Sequence, residues 1–223
     1  MKVSFDEREL AGALISGQIE INHKPMLEKE TLENRKVMLV VVDMVKGFCE
    51  TGALSSPRCK KIAPEIAKIC ELLHDADRIF VRDSHTENSA EFGYFPPHCV
   101  LEESELIDEL AAYGGTQVLK NSTNAFVKLL SARSSLLDYD EIIVTGVCTD
   151  ICVMQLALTL RAYISEFNGK GSVSVLTDAV ETYDSPTHNA DLYNMTALKL
   201  MEQSGVRLYK NIAVKTENSQ TAE

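Results

Sequence analysis

The chain has 223 residues, 33 of them acidic against 22 Lys and Arg, for a formal charge of −11. At 45% apolar and 25% charged, it has the composition of an ordinary soluble domain with enough apolar material for one core. The acidic balance, unbroken by any Lys/Arg cluster, argues against nucleic-acid binding, and the longest apolar run, Val37 to Val42, is far too short to span a bilayer. The N-terminus, MKVSFDEREL, is charged where a secretory signal would be apolar, so a cytoplasmic protein is expected.

Residues 1–34 mix charge with Phe5, Leu10, Leu14 and Ile15 at amphipathic-helix spacing; they read as an appendage to a domain of residues 35–213, followed by a polar tail, 214–223. The continuous β-branched run KVMLVVVD (36–43) predicts a strand buried on both faces. A helix is expected over 64–76, with Pro64 in its first turn, then a strand over 78–83. The pattern continues with a helix over 103–113, a strand over 116–119, a helix over 125–131 and a strand over 141–145. A long apolar helix over 150–165, a strand over 172–177, a helix over 186–203 and a sixth strand over 206–209 complete the chain. This alternation predicts an α/β fold: three α/β/α layers around a mostly parallel six-stranded sheet.

In such a sheet ligands bind outside the carboxyl ends of the strands. Four predicted strand ends deliver reactive groups: Asp43, Asp83 with His85, Lys120, and the turn GVCTDIC (146–152). Singly, each has an ordinary reading: Asp43 a cap, Lys120 a solvated cation, Cys152 core filler. Together they make chemical sense. A carboxylate can take a thiol proton, a lysine can stabilise both anions, and a helix N-terminus offers N–H groups to a thiolate or an oxyanion. Asp83 and His85, two apart, with His98 and Glu91 from the following loop, could hold zinc, manganese or iron. His23, His74 and His188 lack such company, and His188, opening a helix, is given no catalytic role. Cys49, Cys59, Cys70 and Cys99 read as packing, with Cys99 the one placed to border a pocket. The carboxylates of TDAVETYDSP (177–186) read as turn and cap groups.

VVDMVKGFCETGAL (41–54), RDSHTENSAEFGYFPPHC (82–99), LKNSTNAF (119–126) and GVCTDICV (146–153) stand in an order that resembles the isochorismatase-like cysteine hydrolases, most closely the nicotinamidase/pyrazinamidase group. The resemblance covers residues 36–212 and implies the corresponding hydrolase fold. It implies a triad of Asp43, Lys120 and the nucleophile Cys152, with the main-chain N–H groups of Cys148 and Cys152 as oxyanion donors beside a cis Val147–Cys148 peptide. It further implies a divalent metal, zinc before manganese or iron, on Asp83, His85 and His98. Glu91 matches a ligand found in only some members. Phe48 and Phe95 fall where the family places aromatics against a substrate ring.

The implied activity is metal-dependent hydrolysis of nicotinamide to nicotinate and ammonia by a homo-oligomer in pyridine nucleotide salvage. Two departures border the pocket: Asp43-Met-Val-Lys-Gly-Phe48 replaces the usual D-x-Q-N-D-F, and Val100-Leu101 follows Cys99 where Gly-Thr is usual. The alternatives are a family amidase for another small amide or carbamoyl compound, and a catalytically silent binding protein on the same fold. A redox role for Cys148 and Cys152 is a further reading; an isochorismatase proper is disfavoured because those lack the nucleophilic cysteine.

Overall fold

A computed structural model describes residues 6–133 and 135–215. Phe5 and the end of the tail, from residue 216, lie outside the described residues. The strands are β1 (Leu27–Glu28), β2 (Val37–Val42), β3 (Asp77–Asp83), β4 (Thr116–Lys120), β5 (Glu141–Val147), β6 (Ser172–Glu181), β7 (Arg207–Tyr209) and β8 (Ile212–Ala213). The helices are α1 (Glu7–Asn22), α2 (Lys46–Cys49), α3 (Pro57–Lys61), α4 (Ala63–Leu72), α5 (Asp108–Ala111), α6 (Phe126–Ala132), α7 (Met154–Glu166) and α8 (Ala190–Gln203).

Strands β2 to β7 form one sheet in the order β4-β3-β2-β5-β6-β7, every pairing parallel. The alternation of side chains along β2 explains its unbroken apolar run. Met38, Val40 and Val42 enter one core with α1, α6, α7 and α8, whereas Val37, Leu39 and Val41 enter a second core with α2, α3, α4 and α5. That is the three-layer arrangement expected. The chain runs outward through β3 and β4, then returns to place β5 beside β2. The β2/β5 junction is therefore the topological switch point, where the carboxyl ends of neighbouring strands open a crevice.

Gly146 permits the close approach there. Its φ of 108° suits glycine, and a Cβ at this position would lie 2.0 Å from the Val42 carbonyl oxygen. Asp43, the next residue after β2, takes φ 52° and is anchored by its N–H to the Val81 carbonyl.

Three expected elements differ. The stretch 103–113 is not one helix but a 3-10 turn (Leu101–Ser104), an extended segment and the single turn α5. Glu105 and Ile107 adopt extended ψ angles of 147° and 149°, and the segment bonds to the chain after β2: Lys46 N–H to Glu105 O, Ile107 N–H to Met44 O. Tertiary pairing here overrides a helical spacing of apolar residues. Strand β6 also runs further than 172–177, the β5/β6 register shifting between Val144 and Gly146. Helix α8 starts at Ala190 rather than at 186, because residues 185–188 close a tight turn first.

Helix α1, capped by the Asp6 side chain, packs on α8, with Ile21 and Met195 in one core and ion pairs Lys24–Glu202 at 2.5 Å and Lys199–Glu20 at 2.7 Å. Among the described residues no helix is long and apolar enough to cross a membrane.

Candidate active site

Asp43 after β2, Asp83 at the end of β3, Lys120 at the end of β4 and Cys152 after β5 converge at the carboxyl edge of the sheet. Lys120 Nζ lies 2.9 Å from Asp43 Oδ2, 3.0 Å from Asp83 Oδ1 and 3.8 Å from Cys152 Sγ. Each strand ends where it must to aim one side chain at the same point. Cys152 sits in a π-helical turn, Thr149–Val153, that continues into α7; such turns commonly occur at functional sites. The Val147–Cys148 peptide before it is cis.

Burial sets the electrostatics. Withdrawn from water, the Asp43 carboxyl is pushed from 3.8 up to about 6, against the pull of Lys120. Burial likewise pushes the Cys152 thiol well above its ordinary value, with Lys120 acting in the opposite sense. For Lys120, burial alone would favour the neutral amine. The carboxylate of Asp43, then Cys152 and Asp83, outweigh it and hold the lysine well above its ordinary value. These directions favour a lysine cation between carboxylates, and burial favours the proton on Cys152 where the helix N-terminus favours the thiolate; Asp43 is placed to accept that proton.

Asp83, His85, Glu91 and His98 are all buried, and one ligand atom from each lies within 4.8 Å of the others. Their orientation suits a cation. His98 Nδ1 donates to the Pro96 carbonyl at 2.8 Å and His85 Nδ1 to Asn121 Oδ1 at 2.7 Å. With Nδ1 so engaged, each ring turns Nε2 inward. These two Nε2 atoms are 3.1 Å apart, both within 3.3 Å of Asp83 Oδ2. Glu91 Oε1 accepts the Thr123 N–H at 2.7 Å, while its buried Oε2 has no hydrogen-bond partner. Two imidazole nitrogens and the carboxylates of Asp83 and Glu91 facing one point form a donor set that fits a divalent metal of the zinc, manganese or iron type.

Both groups open on one cavity of about 360 Å³, lined by Cys152, Cys148, Asp83, Glu91 and His98. Phe48 and Phe95 also line it, their ring centroids 5.6 and 5.9 Å from that of His98. Cys99 does not border the pocket as expected; it is fully buried in the second core, and Cys148 takes the bordering position. Cys49, Cys59 and Cys70 are core residues. Of the carboxylates in 177–186, Asp184 accepts the Ala190 N–H at the start of α8, as read, whereas Glu181 pairs with Arg58.

Several contributors were not singled out from the sequence. Asn121, immediately after Lys120, and Ser89 hold His85, and Phe92 packs edge-on against its ring. A histidine ligand needs an acceptor for its second nitrogen, which was a usable hint for Asn121 but did not select a residue. The segment Tyr183–Ser185 walls the pocket, where the sequence suggested only turn chemistry.

The chain belongs to the isochorismatase family of hydrolases: the profile of the isochorismatase domain matches residues 37–207. Nicotinamidase 1 of Arabidopsis thaliana is 32% identical over 198 aligned residues, covering 74% of this chain and 79% of that protein. Among solved structures, a zinc complex of Pyrococcus horikoshii pyrazinamidase shares the fold at 24% identity and a TM-score of 0.61, covering 78% of this chain and 99% of that one. N-carbamoylsarcosine amidase from Thermoplasma acidophilum shares it at 25% identity and a TM-score of 0.60, covering 78% and 96%.

Proposed function

We propose that this protein is a metal-dependent nicotinamidase that converts nicotinamide and water to nicotinate and ammonia through a thioester on Cys152. The observation that carries this reading is the meeting of Asp43, Lys120 and Cys152 beside the Asp83, His85, Glu91 and His98 cluster, with Cys152, Asp83, Glu91 and His98 lining one small cavity. The similarity to Nicotinamidase 1 supports the substrate class.

In this mechanism Asp43 takes the Cys152 proton, and the thiolate forms a bond to the carboxamide carbon. Lys120 stays cationic and offsets the negative charge that moves between Asp43 and Cys152. The N–H groups of Cys148 and Cys152 are assigned to the developing oxyanion. Asp43 returns its proton to the departing nitrogen, ammonia leaves, and the thioester remains. Asp43 then accepts a proton from water as its oxygen attacks the thioester carbon; nicotinate forms, and the Cys152 sulfur leaves and is reprotonated. Asp83, His85, His98 and Glu91 would hold the metal, zinc being the first candidate given the zinc-bound pyrazinamidase of this fold. When bound, the metal would supply a Lewis-acid site for the pyridine nitrogen, and Phe48 and Phe95 would offer the ring aromatic surface.

A second reading keeps the chemistry and changes the amide. Ser55, Ser56, Asp184 and Ser185 add polar residues to the cavity lining, and a carbamoyl amidase shares the fold. The test is ammonia release from nicotinamide beside Cys152→Ala, with metal content measured on the same sample. Turnover abolished by the substitution, with about one metal per chain, is the expected result. Turnover of N-carbamoyl compounds but not nicotinamide would favour the second reading, and release unaffected by the substitution would overturn both.

A further inference from the structure

His188 lies outside the proposed triad and metal cluster, yet it is buried and fully engaged. Its Nε2 is 2.8 Å from Asp150 Oδ2, and its Nδ1 is 3.0 Å from the Tyr183 carbonyl oxygen. Its ring is stacked on both faces, 4.0 Å from the Tyr183 ring at 10° and 3.9 Å from the Tyr193 ring at 26°. Both ring nitrogens and both ring faces are thus occupied, by partners from three segments of the chain.

The ring ties together two parts of the pocket. Asp150 belongs to the π-helical turn that carries Cys152, two residues on. Tyr183 opens the segment Tyr183–Asp184–Ser185 that walls the cavity. Ser185 and His188 exchange both main-chain hydrogen bonds, so the ring is carried on a closed four-residue turn rather than a loose loop. Asp184 is committed to the Ala190 N–H. The groups facing the ring are thus Asp150 from the turn, Tyr183 from the wall and Tyr193 from α8.

We infer that His188 is a positioning residue: hydrogen-bonded between Asp150 and the Tyr183 main chain and stacked between two tyrosine rings, it fastens the pocket wall 183–185 to the turn bearing Cys152. It touches no reacting atom, so its effect falls on how the substrate is held. The activity arm of the test rests on the proposed amidase reading; the exchange arm does not.

The first measurement is amide exchange at residues 183–185 in the full chain, wild type beside His188→Gln, with Asp150→Asn, which keeps the size and removes the charge, as a second variant if His188→Gln does not fold. Exchange is expected to speed up in either variant; unchanged exchange overturns the fastening. In steady state, His188→Gln is expected to raise KM for nicotinamide about fivefold or more with kcat within about twofold. A fall in kcat at constant KM overturns the positioning role. If the wild-type protein does not hydrolyse nicotinamide, the proposed function fails while the exchange still decides this inference.

Discussion

Asp43 Oδ2 and Lys120 Nζ lie 2.9 Å apart with both side chains wholly withdrawn from solvent. A buried ion pair of this kind is seldom retained for stability, since similar apolar groups would fill the space at less cost. Its persistence at the ends of two strands, beside a thiol, is best explained by proton chemistry. The lysine lets an aspartate remain ionised at depth, and depth raises that aspartate's basicity toward what a thiol proton requires.

Lys120→Met tests the interdependence. It leaves Asp43 and Asp83 as neighbouring buried carboxylates without their shared cation, so a destabilisation of about 3–5 kcal/mol is expected together with loss of turnover. Urea unfolding measures the first and ammonia release the second. Adding Asp43→Asn should restore part of the stability and none of the activity. Independent, additive effects of the two substitutions would contradict the coupling.

The raised Asp43 value fixes the acid side of the pH profile. An exposed aspartate would hold its charge down to 3.8, whereas here protonation sets in at about 6. The active base is the ionised form, so kcat/KM is expected to fall as pH drops through about 6, tenfold per unit below it for a single group. Bound metal is to be assayed over the same range. A flat rate down to pH 5 with metal retained would exclude Asp43 as the base in this environment.

Much of this was legible in the sequence, for identifiable reasons. The run VMLVVV could only be a strand covered on both sides, and each reactive residue stood at or just after the end of an expected strand, so the edge of the sheet where they meet was foreseeable. What could not be read were contacts between segments distant in the chain. The helical spacing of Leu106, Ile107 and Leu110 was satisfied instead by an extended segment pairing with residues 44–46. His188 carried no local signal at all, because its partner Asp150 lies 38 residues away.

Gly146→Ala examines the switch point itself. The new methyl would lie 2.0 Å from the Val42 carbonyl oxygen and 2.8 Å from its carbon, both main-chain atoms locked in β2–β5 pairing, at a φ of 108°. Neither can yield without parting the strands that position Asp43 and Cys148. A loss of about 3 kcal/mol or more in unfolding free energy is expected, with activity falling alongside it. A fully stable variant would show that this junction is softer than its packing implies.

Asn121 offers the sharpest test of the metal cluster, because it touches the cluster through only one ligand. Its Oδ1 lies 2.7 Å from His85 Nδ1, which fixes the ring with Nε2 facing Asp83 and His98. Removing such a support typically weakens metal binding 10–100-fold without removing a ligand. Asn121→Ala is therefore expected to lose metal to a competing chelator within that range, and to recover most of its turnover when metal is supplied in excess. Ser89 Oγ, 3.0 Å from the same nitrogen, is the one neighbour able to take over, so Ser89→Ala in the same background should deepen the loss. Unchanged affinity in the double variant would mean that His85 needs no fixed ring orientation, and that the cluster is held together by its two carboxylates rather than by its imidazoles.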